Sequence, residues 1–100
     1  MRLYLLGPMR NDAERAVLQA AEQALRANSF QPPFGPHDVS ANPPDPDRIA
    51  KERMRLLAAA DAVCLVDGWA SDHVSEFEHH VARRLGMKCT PLCILLSQHP

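Results

Sequence analysis

Residues 60–69 read Ala-Asp-Ala-Val-Cys-Leu-Val-Asp-Gly-Trp. Ala62 to Val66 is a strand length of almost unbroken apolar residues, closed by the turn-forming pair Asp67-Gly68. A strand apolar on both sides belongs in a sheet covered on both faces, and such sheets are mostly parallel. The flanking segments agree. Residues 2–6, Arg-Leu-Tyr-Leu-Leu, form a second short apolar run ended by Gly7-Pro8, and residues 92–96, Leu-Cys-Ile-Leu-Leu, form a third, preceded by Pro91. Between the runs lie helical patterns. Asn11 is an N-cap residue type with Glu14 three positions on, in capping-box spacing, and Leu18, Ala21 and Leu25 recur at helical intervals until Asn28-Ser29. Asp45-Pro46 suits a helix start. Ile49, Leu56, Leu57 and Ala60 follow on one face, with Lys51, Glu52, Arg53 and Arg55 assigned to the solvent side. Residues 75–85 make a third helix, closed by Gly86. Alternating strands and helices predict an α/β fold, a small Rossmann-like (flavodoxin-like) three-layer sandwich with a mostly parallel sheet of four or five strands.

At 100 residues the chain is expected to be one domain, 1–100. Residues 30–47 hold most of its nine prolines and predict a loop, with room for a short edge strand near Phe30. That loop reads either as a mobile surface segment or as a flap over a binding site. With 46% apolar and 23% charged residues and a net charge of -1, the composition suits a soluble globular chain. It lacks the basic field that binding to a nucleic-acid polymer needs. No apolar stretch is long enough to cross a membrane, and the first residues are too short a run for a secretory signal, so a cytoplasmic location is expected. Cys64, Cys89 and Cys93 are an odd count with no Cys-x-x-Cys pair and read as reduced, buried, small apolar residues. Much of the apolar content is alanine, which buries little area per residue and favours an oligomer.

In an open parallel sheet, ligands bind where the strands end. Three segments stand there: Gly7-Pro8-Met9-Arg10, Asp67-Gly68-Trp69 and Ser97-Gln98-His99. The following helix N-termini suit an anionic or polar small molecule. Trp69 is placed either to stack on a base or sugar or to cap the core. On the third helix, Val74, Phe77, Val81 and Leu85 form an apolar stripe, and Glu78 borders it. A carboxylate at a core margin is a candidate nucleophile or acid. Ser75-x-x-Glu78 also has capping-box spacing, in which the Glu would only bind main chain. His73, Glu76 and His80 share one sector of that helix and read as a solvated face, since their spacing is not a usual metal-ligand pattern, with a metal-binding protein using these three as a third reading. No metal and no cofactor is implied.

Taken in order, Tyr4-Leu5-Leu6-Gly7-Pro8-Met9, Ala60–Trp69 and Glu78-His79-His80-Val81-Ala82-Arg83-Arg84-Leu85-Gly86 resemble the motifs of the nucleoside 2-deoxyribosyltransferase-like superfamily. The pattern is most similar to its small bacterial and phage members of domain of unknown function 4406. Tyr4, Gly7 and Arg10 also resemble the opening motif of deoxynucleoside-monophosphate N-glycosidases. The resemblance implies cleavage or transfer at the N-glycosidic bond of a deoxynucleoside or its monophosphate. Glu78 would attack the anomeric carbon as the base leaves. Tyr4 would orient Glu78, Asp61 matches the motif residue at the strand start, and Asp67 would serve as acid or cap its loop. Gly7, Pro8, Met9, Arg10, Gly68, Trp69, Ser71 and Ser75 would hold the substrate, the two serines as phosphate contacts. The implied partners are a small nucleoside or nucleotide and further copies of the chain, in a homodimer or larger homo-oligomer. Val74-Ser75 stands where the family has Gly-Ala, and the bulk of Val74 makes a non-catalytic nucleotide- or nucleoside-binding module of the same fold the alternative.

Overall fold

The computed structural model describes residues 1–40 and 42–98. In chain order they form β1 (Leu3–Leu6), α1 (Asp12–Ala27), α2 (Pro46–Ala58), β2 (Ala62–Leu65), α3 (His73–Arg84), β3 (Lys88–Pro91) and α4 (Leu92–Gln98), with single 3₁₀ turns at Pro36–Asp38 and Trp69–Ser71. The sheet order is β1-β2-β3, and both pairings are parallel. This is the mixed α/β, parallel-sheet class expected from the apolar runs, with three strands rather than four or five. One further parallel bridge joins Tyr4 to Phe34. The edge pairing expected near Phe30 is thus a single residue at Phe34, whose N–H and C=O bond Leu3 and Leu5.

Side-chain alternation divides the molecule in two. Leu3, Leu5, Ala62, Cys64 and Val66 face α1, where Leu18, Ala21 and Leu25 are buried against them. Tyr4, Leu6, Val63 and Leu65 face the other way, toward Leu57 and Ala60 at the end of α2 and Ala82 of α3. The caps follow local chemistry. Asn11 Oδ1 accepts from Glu14 N at 2.9 Å, and Asp45 Oδ1 accepts from Asp47 N and Arg48 N. Gly86 carries φ +76°, the left-handed conformation expected after a helix.

Three expectations are corrected. Residues 92–96 are helical, and the third strand is Lys88–Pro91 instead. A five-residue apolar run has no period of its own; Leu92, Leu95 and Leu96 stand at helical spacing and pack on the α1 side. Of the thiols expected to be buried, Cys64 is, but Cys93 on this helix is exposed. Pro91 is tolerated because β3 is an edge strand. Second, the buried face of α3 is Ser75, Glu78 and Ala82, while Val74, Phe77 and Leu85 are exposed. The small residues at 75 and 82 let the helix approach the sheet, and Glu78 finds Arg53 and the Tyr4 hydroxyl beneath it. Third, residues 33–39 of the Pro-rich segment do not lie free on the surface but pack down on β1 and α1. Pro33, Gly35, Pro36 and Val39 are buried, and Arg15 Nη1 holds the His37 carbonyl at 3.0 Å.

Gly35 shows how tightly that segment lies on β1. A Cβ there would stand 2.9 Å from the Leu5 carbonyl oxygen and 3.0 Å from Leu5 Cβ. Its backbone is extended, so the obstacle is purely steric. We expect Gly35→Ala to cost about 1–3 kcal/mol, read as a fall in the thermal midpoint of roughly 4–8 °C per kcal/mol. An unchanged midpoint would show that the segment can lift off β1 freely.

Candidate functional site

The carboxyl edge of β1 and β2 holds a cavity of about 170 Å³ lined by Pro8, Arg10, Glu14, Val17, Val66, Asp67, Gly68 and Ser71. A shallower hollow of about 230 Å³ adjoins it, sharing Val17, Val66 and Asp67 and continuing along Ala20, Ala21 and Leu92. Five of the expected site residues therefore meet in one place: Pro8, Arg10, Asp67, Gly68 and Ser71. Gly7 lies behind them, with its would-be Cβ 3.0 Å from Val66 Cβ, so a side chain there would push on the cavity wall. Gly68 has φ +92° and starts the Trp69–Ser71 turn, and Ser71 Oγ donates to its carbonyl at 2.9 Å. Met9 is half-buried against the α1-side core.

Glu14 was legible only as a capping residue. Its carboxylate in fact accepts from Arg10, from the main-chain N at 2.6 Å and from Nε at 3.0 and 3.1 Å. These bonds hold the Glu14 carboxyl below the usual carboxylate range and raise the Arg10 guanidinium.

The remaining expected residues lie elsewhere. Glu78 is 2% exposed on the α2/α3 side of the sheet, inside the molecule rather than at its margin. Arg53 Nε donates to its Oε2 at 2.9 Å, Arg53 Nη2 to its Oε1 at 3.0 Å, and Tyr4 Oη to Oε1 at 3.0 Å. Burial and the adjacent Glu78 charge push the Tyr4 phenol well above its ordinary value. Burial opposes the Arg53 charge, but Glu78 more than offsets it, and the net direction is upward. Arg53 is buried, which corrects its assignment to the solvent side. The available signal was position: Arg53 falls four after Ile49 and four before Leu57, on the inward stripe.

Ser75 is fully buried, and its N and Oγ both donate to Asp72 Oδ2, at 3.1 and 2.8 Å. Asp72 is therefore the cap of α3, and Glu78 takes no part in a capping box. Trp69 is partly buried against the α2/α3-side core and meets the His79 ring at 4.4 Å. Asp61 accepts from Arg2 N at 2.8 Å at the opposite end of β2 from Asp67. Ser97 and Gln98 belong to α4, and His99 lies outside the described residues. His73, Glu76 and His80 are exposed. A different trio, Glu22, His37 and Asp38, brings three candidate metal-donor atoms within 4.8 Å of one another beside a broad surface hollow, with His37 Nε2 2.7 Å from Glu22 Oε1.

The fold is a small parallel α/β domain with a cavity at its strand ends. Residues 1–90 match the model of a domain of unknown function, DUF4406, and the chain belongs to that family. Compared with curated proteins, it matches none. Among the described residues no helix is long and apolar enough to cross a membrane.

Proposed function

We propose that this domain binds a deoxynucleoside or its monophosphate in the cavity at the carboxyl edge of β1 and β2, as a non-catalytic module of deoxyribosyltransferase-like ancestry. One observation carries the reading. Pro8, Arg10, Asp67, Gly68 and Ser71 line a single cavity on the α1 side, whereas both oxygens of Glu78 are committed to Arg53 and Tyr4 on the other side of the sheet. A nucleophile needs an open path to the anomeric carbon and a free lone pair. Burial of Glu78 beneath α3 withholds the first.

The second reading, N-glycosidic cleavage by Glu78, is favoured by the 3.0 Å bond from Tyr4, the partner expected to orient that carboxylate. It requires Arg53 to release Glu78 and the sugar to reach the α3 side. The proposed setting is cytoplasmic, with assembly into a homo-oligomer supported by exposed Val74, Phe77 and Leu85 along α3.

Calorimetric titration with the common 2′-deoxynucleosides and their 5′-monophosphates, alongside chromatography for free base, separates the readings. We expect saturable binding and no released base. Base release by the wild-type chain that disappears in Glu78→Gln would replace the binding module with the glycosidase. Failure of every ligand to bind would overturn both.

A further inference from the structure

The edge cavity has three charged groups in its wall: Arg10, Glu14 and Asp67. The only cation among them is already paired. Glu14 grips the Arg10 guanidinium through both of its oxygens. Glu14 also accepts the Arg10 main-chain N–H, so it cannot swing aside without opening the turn that leads into α1. Buried Asp72 adds to the negative field at Arg10. The Ser71 hydroxyl is committed to the Gly68 carbonyl. Among the side chains of the wall, what remains is an acceptor. Asp67 is exposed on the wall and makes no hydrogen bond to another described residue. A wall with net charge -1 and a free carboxylate suits a ligand that brings hydroxyl donors, and it repels a phosphate.

Resting on the nucleoside-binding reading above, we infer that this cavity selects the unphosphorylated nucleoside and rejects its 5′-phosphate, Glu14 acting as the rejecting residue and Asp67 as the acceptor for sugar hydroxyls. A phosphate dianion would have to share Arg10 with Glu14 and sit beside two carboxylates. A like charge held at a few ångströms near a protein surface costs about ten-fold or more in affinity.

The test is a set of titrations of the full chain with each 2′-deoxynucleoside and its 5′-monophosphate, in the wild type, Glu14→Gln and Asp67→Asn. Circular dichroism melts check that each variant is folded; the Asn11 cap of α1 does not depend on the Glu14 side chain. The wild type should prefer the nucleoside by about ten-fold or more. Glu14→Gln frees Arg10 and should lower that preference by a similar factor. Asp67→Asn should weaken nucleoside binding by about ten-fold. Inorganic phosphate should not compete in the wild type. Wild-type binding of the monophosphate as tightly as the nucleoside, or a preference unmoved in Glu14→Gln, overturns the inference and leaves the binding function standing. Absence of binding by either ligand class overturns the binding function itself.

Discussion

Arg53→Ala is expected to destabilise the domain by about 3–5 kcal/mol, the usual cost of stripping one partner from a buried ion pair. Glu78 is 2% exposed, and Arg53 supplies two of the three hydrogen bonds that compensate its charge. Without Arg53 the carboxylate keeps only the Tyr4 hydroxyl. A domain of this size has a total stability of roughly 5–15 kcal/mol, so the variant should sit near the limit of folding at room temperature. A urea titration would show this as a large fall in midpoint with little change in slope. The pair itself should be worth much less than either deletion. In Arg53→Met with Glu78→Leu and Tyr4→Phe, no charge and no hydroxyl is left unsatisfied, and most of the lost stability should return. If that triple variant is less stable than Arg53→Ala, the loss comes from packing around α2 and α3 rather than from an orphaned charge.

The second large effect is alkaline. Tyr4 and Cys64 are both buried in the sheet. Burial, joined by the Glu78 charge, pushes Tyr4 up, and burial pushes the Cys64 thiol up to about 12. Both groups are neutral when protonated and are raised in the folded state. Their contribution is complete below the unfolded values, about 9 for the thiol and 10 for the phenol, and is lost as pH climbs toward the folded ones. Each proton that the native state alone retains lowers stability by about 1.4 kcal/mol per pH unit. Above pH 10 both groups count, and the slope should approach about 2.7 kcal/mol per unit. Tyr4 is the single tyrosine, so phenolate absorbance reports it alone. It should stay silent through pH 10 and then rise together with the loss of helical circular dichroism. A smooth phenolate titration centred near 10 in a folded protein would contradict the buried Tyr4 environment.

How much of this was legible in the sequence depended on whether the deciding signal was local. Asn11, Asp45-Pro46 and Gly86 each satisfy or terminate backbone within a turn of themselves, and all three stand where their chemistry put them. The rule that ligands sit at strand ends points to Pro8, Arg10, Asp67 and Gly68, and these four line one cavity. Tertiary partners decided the rest. Arg53 was read by residue type, yet its position relative to Ile49 and Leu57 put it inward, and only Glu78 across the helix interface makes that tolerable. Val74, Phe77 and Leu85 make a more apolar stripe than Ser75, Glu78 and Ala82, so pattern alone chose the wrong face of α3. The run 92–96 fits either period, and its outcome depended on β2 taking Lys88–Pro91 as its neighbour.

The sheet acts as a partition. The ion pair of Arg53 and Glu78 lies against one side of it, and the cavity wall of Val17 and Val66 against the other. Groups that share no partner contribute independently to free energy, so substitutions at Glu14 or Asp67 and those at Arg53 or Glu78 should combine additively to within about 0.5 kcal/mol. Ligand preference could then drift, or be engineered, through the α1 side without eroding the scaffold, and a stabilised core could be grafted beneath an unchanged recognition surface.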